Sequence, residues 1–128
     1  MLTLVKLLTL CNNDRMQQEL FCAQYQRAIE LVGSRWTGVI IRALLGGVHR
    51  FRDLKGVIPG VSDRMLAERL RELESEGITK RVVVPEMPVR IEYHLTDKGR
   101  ALSAVIDAVV HWLEAWGDAA PAPLVQRR

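Results

Sequence analysis

Apolar positions recur along this chain with a helical period, then briefly with a strand period, then with a helical one again. From about Met16 to Leu31, the residues Leu20, Ala23, Tyr25, Ala28, Ile29 and Leu31 supply a patchy apolar side, which Gly33-Ser34 interrupts. A second, more apolar helix is predicted from Trp36, Val39, Ile40, Ala43 and Leu44, and Gly46-Gly47 stops it. Trp36 is expected in the core, because an indole beside a glycine turn packs the junction between two helices. A short third helix spans Phe51 to Val57 with Phe51, Leu54 and Val57 inward, and the Pro59-Gly60 turn follows.

The most informative stretch comes next, IPGVSDRMLAERLRELESEG from Ile58 to Gly77. Ser62 stands at an N-cap position, where its hydroxyl accepts from an otherwise unpaired amide of the first turn. Leu66, Leu70 and Leu73 form one apolar stripe, and Gly77 is placed to end the helix. Arg64, Glu68, Arg71 and Ser75 lie on the opposite side, with Ala67 beside them. Such a helix fits a DNA major groove. It also fits an ordinary surface helix, in which Arg64–Glu68 and Glu68–Arg71 pairs add a few tenths of a kcal/mol each. Helix, tight glycine turn, helix is the helix-turn-helix arrangement.

After Gly77 the period shortens to that of a strand. KRVVVP (80–85) and VRIEYHL (89–95) read as two strands, with Glu86-Met87 between two prolines as their turn. A hairpin in this place is a wing, whose turn projects Arg90, with Lys80 and Arg81 at its base, towards a polyanion. Thr96 then caps a final helix in which Leu102, Val105, Ile106, Val109, Leu113 and Trp116 share one arc, edged by Trp112 and Val110. That arc is too wide for a helix covering a small core, and a twofold dimer interface is the expected use of the surplus.

Composition adds limits. At 128 residues, 48% hydrophobic and 26% charged, the chain is sized for one globular domain with a real core. The net charge is only +3, and residues 50–100 hold eleven basic and nine acidic side chains, so arginine placement matters more than bulk charge. No apolar run approaches the roughly 18 residues a membrane span needs. The opening MLTLVKLLTLC invites a signal-peptide or lipoprotein reading, but it is short, Lys6 interrupts it, and Leu10 is not a small residue. Residues 1–15 are expected to be a loose extension, or the product of a start codon upstream of Met16. Cys11 and Cys22 make no disulfide framework and point to a reducing cytoplasm. His49, His94 and His111 have no metal-ligand spacing, and no phosphate loop or nucleophile elbow appears, so neither enzyme activity, nor a metal, nor a cofactor is expected.

The succession GSRW (33–36), RALLGGVHRF (42–51), DL (53–54), IPGVSDRMLAERLRELESEGI (58–78) and RVVVPEMPVRIEYHLTDKG (81–99), closed by Trp112 and Trp116, resembles the HxlR-type transcriptional regulators. The P-x-x-P hairpin followed by EY-x-LT-x-x-G is the most diagnostic part. The resemblance implies a homodimer held by N- and C-terminal helices. It implies that the helix after Ser62 enters the major groove of a pseudo-palindromic operator, with the wing on the flanking minor groove or backbone. It also implies an oxidant or small-molecule effector, since several relatives carry a responsive cysteine where Cys22 stands. The residue itself leaves two readings open, a thiol sensor or a plain small hydrophobe. Ser34-Arg35 in place of Gly-Lys, and Ala23 in place of a proline, depart from the family pattern at the sensing end rather than in the DNA-reading helix.

The expected fold is mainly α with a small β-hairpin wing, a winged helix-turn-helix over residues 16–118 with N- and C-terminal dimerisation helices and a flexible tail over 119–128. The expected function is a cytoplasmic, sequence-specific DNA-binding regulator, a repressor by family habit, that binds double-stranded DNA as a homodimer and not a membrane. Ser62, Arg64, Ala67, Glu68, Arg71, Arg50, Arg52 and Arg90 are the candidate DNA-binding residues, with Arg64 and Arg71 on base edges or phosphates, Arg50 and Arg52 positioning phosphates, and Arg90 on the backbone from the wing. The alternative is a winged-helix protein-interaction module, which the acidic Glu68, Glu72, Glu74 and Glu76 partly favour.

Overall fold

In the computed structural model the described residues are 15–117; the N-terminal extension before Arg15, with Cys11, and the expected C-terminal tail lie outside them. The elements are α1 (Arg15–Val32), α2 (Thr37–Leu45), α3 (Phe51–Val57), α4 (Asp63–Ser75), β1 (Thr79–Val84), β2 (Arg90–Leu95), α5 (Asp97–Arg100) and α6 (Ser103–Trp116). Contacts divide the chain into two units, residues 1–38 and residues 39–128. The expected class holds: mostly helix, with one antiparallel hairpin.

In the first unit α1 leaves Leu20, Tyr25 and Ile29 exposed. It ends where the Gly33 amide donates to Ile29 O at 2.8 Å and Ser34 Oγ donates to Glu30 O at 2.6 Å. Trp36 is not core. The Thr37 amide donates to Ser34 O at 3.1 Å, closing a four-residue turn in which Trp36 holds the third position with φ of 77°. The half-buried ring lies 5.0 Å from the Arg35 guanidinium carbon, and the helix starts one residue later.

The second unit is built around Ile40, Ile41 and Leu44 of α2, Leu54 of α3, Ile58 and Val61 of the turn, and Leu66, Leu70 and Leu73 of α4. Ile78, Leu95 and Ile106 complete that core. Burying each such side chain stabilises by about 1.5–3 kcal/mol. Val39 and Val57, expected inward, are exposed, and Ile41 and Ile58 take the buried places. The helix α3 lasts only seven residues, and the switch to extended backbone at Ile58 (φ −107°, ψ 98°) turns that side chain into the core.

Both ends of α4 are closed as its sequence requires. Ser62 Oγ accepts from the Met65 amide at 3.1 Å. At the other end Gly77 takes φ of 74°, the Ile78 amide donates to Leu73 O at 2.9 Å, and the Gly77 amide donates to Glu74 O at 3.0 Å. This is a Schellman ending, with Leu73 and Ile78 both buried. β1 and β2 pair antiparallel from Thr79↔Leu95 to Val84↔Arg90, and the Met87–Pro88 peptide is cis. A short extra edge, not foreseen in the sequence, joins β2: Arg50 bridges Glu92, and the Tyr93 amide donates to His49 O at 2.8 Å.

The final helix predicted after Thr96 is in two pieces. Thr96 caps the four-residue α5, accepting from the Gly99 amide at 3.1 Å, and α6 starts only at Ser103. Arg100 holds α5 down by donating to Leu95 O at 2.8 Å, and the break between α5 and α6 falls at Ala101-Leu102, both of which keep right-handed helical dihedrals. Of the predicted apolar arc only Ile106 is buried; Leu102 is half-buried at the N-cap, while Val105, Val109, Leu113 and Trp116 are exposed beside Trp112.

Candidate nucleic-acid interface

Two groups of side chains carry the chemistry a polyanion would meet. The first is the outward face of α4. Its inward stripe of Leu66, Leu70 and Leu73 fixes the rotation of the helix, so the residues opposite must face solvent. Arg64 is 89% exposed in its side chain, with Nε 3.4 Å from Glu68 Oε1. Arg71 is exposed and is held by no carboxylate among the described residues. Ala67 is half-buried between these positions, and Ser75 Oγ donates back to Glu72 O at 2.9 Å. Arg69 lies at the apolar edge, 19% exposed, with Nη1 2.9 Å from both carboxylate oxygens of Glu72, which brace it along the helix.

The approach to α4 is fixed by a lysine that sequence reading passed over. Lys55 Nζ donates to Val61 O and stands 3.6 Å from Asp63 Oδ1, so one side chain spans the turn between α3 and α4. Gly60 sits in that turn with φ of 86°.

The second group lies where α3 begins and the hairpin turns. Arg50, Phe51 and Arg52 form one wall of a groove of 420 Å³ and the hairpin turn forms the other. Arg52 is exposed and Arg50 half-buried. Arg90, expected to project from the wing, is turned back: Nη1 is 3.3 Å from Glu86 Oε2 and Nε is 2.8 Å from Glu92 Oε2, with 29% of the side chain exposed. Lys80 and Arg81 are exposed at the hairpin base. The structure therefore gathers Ser62, Arg64, Ala67, Glu68 and Arg71 on one helix, and Arg50, Arg52 and Arg90 around one groove.

Behind that groove runs a ladder of charge. Glu92 accepts from His94 Nε2 at 2.8 Å, and the His94 ring stacks on His49 with centroids 4.1 Å apart. His49 Nδ1 donates to Tyr93 O at 3.1 Å. The hydrogen bond from His94, then the neighbouring Arg90 charge, hold the Glu92 carboxyl below its ordinary 4.5 against the opposing effect of desolvation. On sequence grounds His49 and His94 have no assigned role, only a lack of metal-ligand spacing. The signal was present: Arg90, Glu92 and His94 alternate, and alternate strand residues share a face.

Cys22 lies on α1, exposed, in the first unit, and the dimer candidates lie on and just before α6. Among the described residues no three His, Cys, Asp or Glu side chains could hold a metal ion, and no helix is long and apolar enough to cross a membrane.

Comparison with known proteins places this geometry among regulators. The HxlR-like helix-turn-helix model matches residues 31–121. The HTH-type transcriptional regulator YvaP of Bacillus subtilis (strain 168) is 44% identical over 103 residues, which cover 80% of this chain and 95% of that protein. The reduced form of the transcriptional regulator YodB from B. subtilis superposes with a TM-score of 0.68 at 42% identity, over 77% of this chain and 96% of that one. The redox regulator HypR in its reduced form gives a TM-score of 0.70 at 31% identity, over 75% and 95%.

Proposed function

The chain belongs to the HxlR-like helix-turn-helix family, whose members compared above are transcriptional regulators, and from that premise we propose a sequence-specific, DNA-binding repressor. It works as a homodimer on an inverted-repeat operator with half-sites about one helical turn apart. The carrying observation is α4: capped at Ser62, seated through three leucines, and presenting Arg64, Glu68 and Arg71 outward. A helix of this size fits the major groove, roughly 12 Å wide. Arg64 and Arg71 read base edges there, Ala67 and Glu68 lie between them, and Ser62 sits at the end that enters first. Glu72, Glu74 and Glu76 crowd the far end, where phosphates would repel them, so the N-terminal half enters. Arg50 and Arg52 take phosphates.

Exposed Val105, Val109, Leu113 and Trp116 on α6, with Leu102 at its start, supply the surface for the second copy. Ile106, buried in this chain's own core, supports that surface from beneath. Cys22 is the site of an oxidant response, in line with its exposure and with the redox regulator among the relatives. The test is selection from a random duplex library by the full chain. Gel shifts across salt and sedimentation with and without diamide then follow. An inverted repeat, affinity falling steeply with salt, and a dimer are expected. A protein that enriches no duplex is instead a protein-interaction module, and affinity unmoved by diamide removes Cys22 from the response.

A further inference from the structure

The hairpin turn departs from what a charged wing should look like. Its outermost side chain is Met87, 98% exposed, with Val89 at 60% beside it. The arginine nearest the turn is unavailable, because Glu86 and Glu92 hold Arg90 from two sides. That arrangement ties up the arginine internally and leaves a small apolar prow. Immediately beside the prow is the 420 Å³ groove whose opposite wall carries Arg50 and Arg52. Apolar tip and cationic wall together match one surface: a minor groove, where sugars and base edges form the floor and phosphates form the rim. A protein partner would need an apolar socket ringed by acidic groups to match the same surface, and the two arginines already belong to the phosphate-facing set proposed above.

We propose that the hairpin engages the duplex through Met87, lodged in the minor groove flanking the half-site, while Arg50 and Arg52 hold the phosphate strand in the adjoining groove. This rests on the DNA-binding reading above and adds the mode of contact. The wing reads the shape and deformability of the flank, where an apolar side chain wedges most readily into weakly stacked pyrimidine–purine steps. Its turn contributes no counterion release of its own, since the one arginine there, Arg90, is paired within the protein.

The experiment uses the full chain and the duplex it selects. Met87→Ala should melt at the wild-type temperature, because the side chain touches little, yet bind that operator about tenfold more weakly with an unchanged dependence on salt. Hydroxyl-radical protection of the flanking minor groove should weaken with it. Met87→Lys should steepen the salt slope by about one. Equal affinity of Met87→Ala and wild type overturns the proposal, as does a loss that comes with a shallower slope, the mark of missing phosphate contacts. Failure of the wild type to select any duplex refutes the DNA reading itself, and it shows before a variant is made.

Discussion

Replacing Gly99 by alanine should unfold more than a helix turn. A Cβ built there meets Ile78 O at 2.2 Å and Leu95 Cδ2 at 2.9 Å, where real Cβ atoms keep at least 3.0 Å. The leucine end can rotate away, but the carbonyl belongs to backbone already fixed by the Thr96 amide at 3.0 Å. Relief requires α5 to lift off, which loosens that bond and the Thr96 hydroxyl, set 2.6 Å from Gly77 O and 3.1 Å from Ile78 O. Two or three hydrogen bonds at about 1 kcal/mol each oppose the roughly 1 kcal/mol that alanine gains over glycine in a helix. Adding overpacking of about 1–3 kcal/mol leaves a net loss of about 2–5 kcal/mol. Urea unfolding at 25 °C measures it, with Gly56→Ala as control: Gly56 has nothing within 4 Å of its added Cβ, and alanine there should stabilise by about 0.5–1 kcal/mol. A Gly99→Ala protein as stable as wild type would refute the reasoning.

Three other outcomes are expected. Ser62→Ala removes the acceptor for the Met65 amide and should lower stability by about 1 kcal/mol, with Ser62→Asp recovering most of it in the same urea titration. Arg71→Ala should weaken binding to the selected operator by about 1–3 kcal/mol and to random duplex much less; an equal loss on both would mark Arg71 as a phosphate contact. Glu92 titrates below 4.5 in the folded chain, so between that lowered value and the unfolded one the unfolded state binds more protons. Its stabilising contribution is therefore present above pH 4.5 and is lost as pH falls through the folded value. Glu92→Gln should make stability less dependent on pH across that acidic window, and an unchanged profile would show the ladder to be idle.

The pattern of apolar residues carried most of this fold because helix and strand periods are local. Leu66, Leu70 and Leu73 are buried as their spacing demanded, Ser62 caps, and Gly77 ends α4. What escaped the sequence depends on partners far along the chain. Trp36 is in a left-handed turn because of a hydrogen bond that its own side chain does not reveal. The one-residue edge strand at Arg50 has no period to betray it, and His49 meets His94 from a distant stretch of the chain. Arg90 was legible as a wing residue, but its two carboxylate partners come from the turn and from its own strand face. Periodicity says which side a residue faces, not which charge it meets there.

The join between α4 and α5 sets how these parts can move. Lys98 Nζ takes Glu76 O at 2.6 Å, Thr96 takes Gly77 O and Ile78 O, and Gly99 leaves no slack above Ile78. The rear of α4 and the root of the terminal arm are thus riveted into one casting, and the helix break at Ala101-Leu102 is the first interruption beyond it. In the dimer proposed above, two such chains would behave as a pair of callipers whose gauge can change only beyond that casting and nowhere nearer the jaws.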